Sequence, residues 1–177
     1  AEACQFFDVP VVGGNVSLYN ENGEGAVDPT PVVSMVGLID QADNVTRSFV
    51  TDGDETLVLL GGLPCELGAS YFLQTRHGLK EGKVPEVDFA AEKALQDFLI
   101  AQIEAGRVAA AHDLSEGGLL VTIAEMLFED KELGADLSLG SRGSSGRLDT
   151  LLFGESQGRV VAAVKANDLE AFFSAAK

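Results

Sequence analysis

The chain has 177 residues, which is enough for one domain or for one domain with part of another. Hydrophobic residues make up 46% and charged residues 23%, a mixture typical of globular proteins. No apolar run reaches the roughly 18 residues that a membrane-spanning helix needs, so a membrane span is not expected. The 28 acidic and 12 basic residues give a net charge of −16, which repels phosphate backbones and argues against a nucleic-acid partner.

The few cysteines and histidines argue against a zinc site. Cys4 and Cys65 lack the close spacing of metal ligands, and His77 and His112 have no partner one helical turn away. The first residues show no basic leader followed by an apolar core, so we expect a cytoplasmic protein without a secretory signal. The chain runs almost at once into an apolar stretch, which is expected of a fragment that starts inside a domain.

The first part of the chain is predicted to contain strands separated by a polar loop. Apolar runs at residues 9–12 and 32–39 are bounded by Gly, Pro and Asp, and residues 46–50 are a weaker strand candidate. Between the first two runs lies a glycine-rich loop, followed by Pro29 and Pro31, which favour extended backbone before the second strand.

A turn signal at residues 51–55 (TDGDE) predicts a domain boundary between residues 1–52 and 53–177. The clearest element after it is a helix at residues 89–105, with Asp88 as its N-cap and Gly106 after its last turn. The other predicted elements are, in chain order, a strand at 56–62, a helix and loop at 65–78, a strand at 107–113, a helix at 119–128, a strand at 134–139, a flexible loop at 140–147, a helix at 148–153, a strand at 159–164 and a final helix at 167–176.

The order of these elements predicts an α+β fold. Strands and helices alternate irregularly, and several connections are too short for repeated crossover units, which disfavours a doubly wound parallel sheet. We therefore expect a mixed sheet that carries helices on one face.

The stretch VPVVGGNVSLYNENGEG, residues 9–25, is the first candidate site. Gly13 and Gly14 allow a close approach of the backbone to a ligand. Asn15 offers a neutral oxygen that suits Mg²⁺, and the Ser17 hydroxyl can donate to a phosphate oxygen. A tight turn without a ligand is the alternative interpretation.

Two further polar stretches follow apolar segments. In AHDLSEGGLLVTIAEM, Asp113 ends a strand beside a helix N-terminus, where a carboxylate can hold a cation or position a phosphate. In LLFGESQGRVV, Glu155 and Gln157 lie between a short helix and a strand. Helix capping by Asp113 or Ser115 and an ordinary surface turn are the respective alternatives.

Taken together and in this order, PVVGGNVSLYNE, PTPVVSMVGLID, AHDLSEGGLLVTIAEM and LFGESQGRVV resemble the phosphoribosylformylglycinamidine synthase family. The Asn-Val-Ser version of the first motif is similar to the synthetase subunit of the short, multi-subunit form. The resemblance implies a C-terminal fragment: the end of an aminoimidazole-ribonucleotide-synthetase-like N-terminal domain, followed by the α+β C-terminal domain of that superfamily, which is expected to be truncated at its end.

The resemblance also implies a reaction. In the family, ATP phosphorylates the formamide oxygen of formylglycinamide ribonucleotide, and ammonia from a glutaminase subunit displaces the phosphate to give the amidine. The implied cofactors are Mg²⁺ and ATP, and the implied partners are the glutaminase subunit and a small accessory subunit. The catalytic His of the family lies upstream, so no catalytic residue is expected in this chain, which is expected to be inactive by itself.

By the motif match, the resemblance implies that Gly14 contacts ATP, Asn15 binds Mg²⁺ and Ser17 contacts the ribonucleotide. Asp113, Glu155 and Gln157 fall in the second half of the family enzyme. They are therefore candidates for an auxiliary pseudo-site or for maintenance of the fold.

Two other functions stay open from the sequence. One is a non-catalytic assembly domain that self-associates through its sheet, which the apolar strands favour. The other is a small-molecule kinase of the same superfamily.

Overall fold

The computed structural model describes residues 2–16, 20–28, 30–62, 66–129, 132–139 and 147–176. The chain forms two compact units, residues 1–42 and 43–177. The helices are α1 (Glu2–Phe7), α2 (Tyr71–His77), α3 (Phe89–Glu104), α4 (Gly118–Leu127), α5 (Leu148–Phe153) and α6 (Leu169–Ala175). The strands are β1 (Gly13–Asn15), β2 (Glu21–Asn22), β3 (Gly25–Ala26), β4 (Val32–Ser34), β5 (Glu55–Gly61), β6 (Val108–Asp113) and β7 (Arg159–Lys165).

The first unit contains two small antiparallel sheets, β1 with β4 and β2 with β3. The strand predicted at residues 9–12 was misplaced, because pairing with β4 runs over Gly13–Asn15, and the strand predicted at 32–39 ends at Ser34. Apolar side chains in this unit remain largely exposed, and Leu38 is 92% exposed. The described part of the first unit therefore does not bury its own apolar residues.

The second unit is built on a three-stranded antiparallel sheet in the order β5-β7-β6. An isolated parallel bridge joins Arg47, which lies in the weaker strand candidate at residues 46–50, to Ala110. The α+β class is confirmed by this arrangement. In the described residues, however, the three paired strands run antiparallel.

The expectation that helices cover one face of the sheet was wrong. Helix α4 packs on the face that carries Val161 and Ala163, whereas α3 and α6 pack on the face that carries Ala162 and Val164. All four of these β7 residues are at most 1% exposed. A continuous apolar strand of this kind is typical of a sheet buried on both sides.

The remaining predicted elements of the second unit match closely, with one exception. Residues 134–139 form no strand, and residues 140–146 of the predicted loop lie outside the described residues. A 3-10 turn at Ala166–Asp168 precedes α6, so the final helix starts later than predicted. Within the described residues, no helix combines the length and apolar character needed to cross a bilayer.

The N-terminus of α3 is fixed by the cap that the sequence predicted. One carboxylate oxygen of Asp88, Oδ1, accepts hydrogen bonds from the backbone N–H groups of Ala90 and Ala91, each at 3.0 Å. These N–H groups have no partner within the helix itself. The cap therefore stabilises the helix that carries Phe98 against Phe172 of α6, with ring centroids 5.2 Å apart.

Replacement of Asp88 by Ala is expected to lower the free energy of unfolding by about 1 kcal/mol, because both N–H groups lose their acceptor. Chemical denaturation of the chain measures the change. Asp88→Asn is the matched control, since an Asn side chain caps nearly as well. Equal losses in the two variants would show that the charge, and not the cap geometry, supports the helix.

Glu55 starts β5 and carries a carboxylate oxygen, Oε2, that is buried without a hydrogen-bond partner among the described residues. Burial is the main cause that raises the pKa of this carboxyl group, and a hydrogen bond with its own backbone partly opposes it. The charges of Asp52 and Asp54 raise the pKa further, whereas the charge of Lys165 lowers it, and the net shift is upward. The folded chain therefore holds this proton more tightly than the unfolded chain does. Its stabilising contribution is present at low pH and is lost as pH rises through the raised pKa.

Glu55→Gln is accordingly expected to raise Tm at pH 7 by about 2 °C and to change it little near pH 4, because the amide carries no charge to desolvate. Thermal unfolding followed at both pH values tests this expectation. Glu104→Gln, an exposed change on α3, is the control and should show no such pH dependence. An equal or larger gain at pH 4 would contradict the assignment.

Candidate functional site

Gly14 lies where two strands come into close contact. It pairs with Val33, and a Cβ atom at this position would lie 2.1 Å from the carbonyl oxygen of Val32. No larger residue fits without a shift of the backbone. The sequence predicted a close approach of the backbone at this glycine. The structure shows such an approach to β4, and a contact of Gly14 with ATP stays a prediction.

Asn15 is the last residue of β1 and pairs with Val32. The residue is exposed, so its position at the strand end is accessible to a ligand. A single amide oxygen fits Mg²⁺ as one ligand among phosphate and water oxygens, since this ion usually keeps several waters. Ser17, the predicted substrate contact, lies outside the described residues.

In the second unit, a cavity of about 290 Å³ brings together the three residues of the predicted auxiliary site. Asp113 enters from the end of β6, and Glu155 and Gln157 enter from the segment between α5 and β7. The cavity is polar and strongly acidic. Its other lining residues are Glu92, Leu114, Ser115, Glu116, Gly158, Arg159 and Val160.

The Glu155 side chain forms hydrogen bonds with two different segments of the chain. Its Oε1 atom accepts hydrogen bonds from the backbone N–H groups of Tyr71 and Gly117, each at 2.8 Å. Tyr71 is the first residue of α2, and Gly117 directly precedes α4. The carboxylate is therefore placed at the start of two helices.

Asp113 and Ser115, which the sequence offered as alternative caps of the following helix, do not cap it. The N-cap position of α4 is Gly117, and no side chain at that position makes a cap hydrogen bond. The Asp113 side chain is 73% exposed and lies 3.5 Å from His112 Nδ1. Asp113 therefore stays accessible at the rim of the cavity.

Arg159 lies behind the segment that carries Glu155. It is only 3% exposed, and its Nε donates to the carbonyl oxygen of Ser156 at 3.1 Å while Nη2 donates to the carbonyl oxygen of Gly154. The Ser156 hydroxyl oxygen in turn accepts a hydrogen bond from the backbone N–H of Glu66 at 2.9 Å. These bonds fix the backbone of residues 154–159.

Glu92 is a cavity residue that the sequence did not indicate. It lies in the first turn of α3, where its Oε1 accepts from Gln96 Nε2 at 3.1 Å. Its Oε2 is buried and has no hydrogen-bond partner within the described part of the chain. No local motif in the sequence connects Glu92 with residues 154–159.

The acidic residues that the structure describes do not form a metal site by themselves. Across the described ranges, no group of three or more His, Cys, Asp or Glu side chains is arranged to hold a metal ion. In the same cavity, Glu92, Asp113, Glu116 and Glu155 face only one basic residue, Arg159. A phosphorylated ligand would thus meet a negative surface unless it brought its own cation.

In the second unit, helices cover both faces of the sheet, and a polar cavity lies at the loop ends. The second unit is therefore an α+β domain with a ligand-accessible edge. The family model "AIR synthase related protein, C-terminal domain" matches residues 52–177, and the chain belongs to this family.

Curated relatives extend the similarity to almost the whole chain. It is 39% identical over 170 residues to the phosphoribosylformylglycinamidine synthase subunit PurL of Alkaliphilus metalliredigens, covering 96% of this chain and 22% of the relative. The same subunit of Symbiobacterium thermophilum is 42% identical over 163 residues, covering 91% and 21%. That of Rhodospirillum rubrum is 41% identical over 181 residues, covering 100% and 24%. The chain thus spans less than a quarter of the length of these relatives, and the predicted resemblance to their family is confirmed.

Solved structures show the same fold at lower sequence identity. Thermotoga maritima PurL complexed with FGAR aligns with a TM-score of 0.74 and 22% identity, covering 99% of this chain and 30% of that chain. The structure of PurLQS from Thermotoga maritima aligns with a TM-score of 0.64 and 22% identity, covering 99% and 28%. Thermotoga maritima PurL complexed with ATP aligns with a TM-score of 0.56 and 20% identity, covering 82% and 23%.

Proposed function

We propose that the chain is a C-terminal part of the synthetase subunit of a phosphoribosylformylglycinamidine synthase, an ATP-dependent carbon–nitrogen ligase of purine biosynthesis. One observation carries the proposal. The chain is 39% to 42% identical to three PurL subunits over at least 91% of its length. The complete protein would convert formylglycinamide ribonucleotide, ammonia and ATP to formylglycinamidine ribonucleotide, ADP and phosphate.

The proposed reaction proceeds in two transfers. The formamide oxygen of the ribonucleotide attacks the γ-phosphorus of ATP, and ADP leaves. Ammonia then adds to the activated carbon, and the phosphate leaves with the former formamide oxygen. Catalysis of such transfers depends mainly on positioning and on electrostatic stabilisation of the transferred group.

The first unit contributes binding residues to this reaction in our proposal. Gly14 contacts ATP through its backbone, and Asn15 Oδ1 supplies one oxygen to Mg²⁺. The pairing of both residues with β4 supports this role, because it fixes their backbone before a ligand arrives. Ser17 is proposed to contact the ribonucleotide. When bound, Mg²⁺ would neutralise charge on the phosphate oxygens.

We propose that the cavity of the second unit is an auxiliary pseudo-site, with Asp113, Glu155 and Gln157 in its lining. Its position in the family's C-terminal domain supports the proposal, as does the convergence of residues from two distant segments. A direct part in the chemistry is not assigned to these residues.

The proposed partners are a glutaminase subunit, which would deliver ammonia, and a small accessory subunit. The alignment with a PurLQS structure supports an assembly of several subunits. A cytoplasmic location belongs to the same proposal, because ATP and ribonucleotides are cytoplasmic metabolites.

Phosphate release by the complete purified protein tests the function. With ATP, Mg²⁺ and ammonium, release is expected to require formylglycinamide ribonucleotide and to match formation of the amidine one to one. Phosphate release from ATP at the same rate with and without this ribonucleotide would contradict the proposal. The 177-residue chain alone is expected to show no turnover, because the remaining groups of the site would be missing.

A second candidate function, an assembly domain, is favoured by the exposed apolar residues of the first unit. Val33, Val36 and Leu38 are 59%, 70% and 92% exposed. Several exposed apolar side chains close together in the sequence favour an interaction surface. Size-exclusion chromatography with light scattering on the chain separates the possibilities: an assembly domain gives dimers or larger species at micromolar concentration, whereas a monomer under these conditions argues against it.

A further inference from the structure

The outer edge of β5 has no neighbouring strand among the described residues. The order β5-β7-β6 puts β5 and β6 at the two edges of the sheet. In an edge strand, backbone N–H and C=O groups point away from the sheet, where another strand can bind them. The opposite edge is partly occupied, because Arg47 forms a parallel bridge with Ala110 and its carbonyl oxygen accepts the N–H of Ala111 at 2.9 Å. Within the described residues, the free edge is therefore that of β5.

The sequence of β5 is typical of a strand inside a sheet. Residues 56–60 (TLVLL) contain no charge, proline or glycine, and the pairing of β5 with β7 runs without a register shift. Leu57 and Leu59 pack against the core on one face of the sheet, whereas Val58 and Leu60 pack in the core on the other face. Edge strands are usually protected by charges, prolines or bulges. Burial on both faces without such protection favours a further strand beside β5.

The crossover connections of the unit indicate which segment supplies that strand. Strands β5 and β6 both run antiparallel to β7, so they are parallel to each other and are connected through α3 across β7. Helix α6, which follows β7, packs on the same face of the sheet as α3. Crossovers between parallel strands of one sheet are right-handed in about 98% of cases. Because β7 runs opposite to β5, a right-handed crossover through α6 leads in the opposite direction, from β7 past β5 to its free edge.

We propose that the outer edge of β5 binds a strand that follows α6 in the complete protein. This strand runs parallel to β7 and antiparallel to β5, and it extends the sheet to four antiparallel strands. The chain spans 21% to 24% of three curated relatives, so a complete protein of their length contains further segments. The inference rests on the topology of the sheet and not on the proposed synthetase activity.

Amide hydrogen exchange, compared between the complete protein and the 177-residue chain, tests the proposal. In the complete protein, all backbone amides of residues 56–60 are expected to be protected. In the 177-residue chain, those that point away from β7 are expected to exchange at least about a hundredfold faster, because no strand accepts them. Residues 110–112 of β6 are the control. Their protection should be equal in the two proteins, since residue 47 lies beside β6 in both.

A complete protein shortened to end at Lys177 identifies the segment that supplies the strand. Its residues 56–60 are expected to exchange as in the 177-residue chain, with the protection of β6 unchanged. If the shortened protein does not fold, the comparison of the complete protein with the 177-residue chain still decides. Full protection of residues 56–60 in either shorter protein would overturn the proposal, because another segment would then cover the edge. Fast exchange there in the complete protein, or protection that rises with protein concentration, as for pairing with a second copy, would also overturn it.

Discussion

Replacement of Asn15 by Ala in the complete synthetase is expected to lower kcat/KM for ATP at least about a hundredfold, the usual cost of losing one positioned electrostatic contact. Asn15 ends β1, and its pairing with Val32 fixes the position from which its oxygen would reach the ion. Alanine keeps the backbone and removes the oxygen. Steady-state kinetics over a range of Mg²⁺ concentrations should show that the variant needs more Mg²⁺ for half-maximal rate.

Asn22→Ala is the matched control for this experiment. Asn22 is an exposed amide of the same unit, and its Oδ1 accepts the N–H of Glu24 within the β2–β3 turn. Its loss should leave the Mg²⁺ dependence unchanged. If Asn15→Ala and Asn22→Ala gave the same Mg²⁺ requirement as the unmodified enzyme, the proposed metal contact would be wrong.

Replacement of Gly118 by Ala is expected to destabilise the chain by about 3 kcal/mol. Gly118 is buried at the start of α4 with φ of 71°, a region that costs roughly 1–2 kcal/mol for other residues. An added Cβ would also lie 2.7 Å from both the carbonyl oxygen of Gly154 and the carbonyl carbon of Phe153. Relief of that overlap would separate α4 from the segment that holds Glu155, at a further cost of about 1–3 kcal/mol.

Alanine variants at two other glycines separate the cost of the positive φ from the cost of the steric overlap. Denaturant unfolding measures all three variants. Gly106 has a similar φ of 70° with open space around it, so Gly106→Ala should cost only about 1 kcal/mol. Gly134 has open space and no positive φ, so Gly134→Ala should be close to neutral. A Gly118→Ala variant no less stable than Gly106→Ala would show that α4 does not pack against residues 153–154 as described.

In the second unit, the elements whose signal lies within a short stretch of sequence were predictable. Helix α3 follows from its apolar spacing and from the cap at Asp88, and β7 follows from its apolar run. The expectation of helices on one face was wrong because it overlooked residues 160–164, which are apolar without alternation, a pattern typical of a strand buried on both faces. The strand predicted at residues 134–139 was wrong for a different reason. A strand exists only where a partner pairs with it, and pairing partners are not encoded locally.

The residues of the candidate site also differ in whether a local sequence signal indicates them. Local motifs indicated Asp113, Glu155 and Gln157, and the structure places all three around one cavity. The donors to Glu155 come from α2 and from the start of α4, so its function as a shared cap depends on tertiary structure. Glu92 reaches the cavity from α3 and left no signal in the sequence. The predicted domain boundary between residues 52 and 53, and the ligand roles of Gly14, Asn15 and Ser17, stay predictions.

In our proposal, Asn15 contacts the metal of the bound nucleotide at the end of β1. Anomalous diffraction from crystals of the complete synthetase, with Mn²⁺ in place of Mg²⁺ and a non-hydrolysable ATP analogue, tests it most directly. We predict an anomalous peak within about 2.5 Å of Asn15 Oδ1, with phosphate oxygens on its other side. A fully occupied metal site elsewhere, with the Asn15 side chain turned to solvent, would contradict the claim.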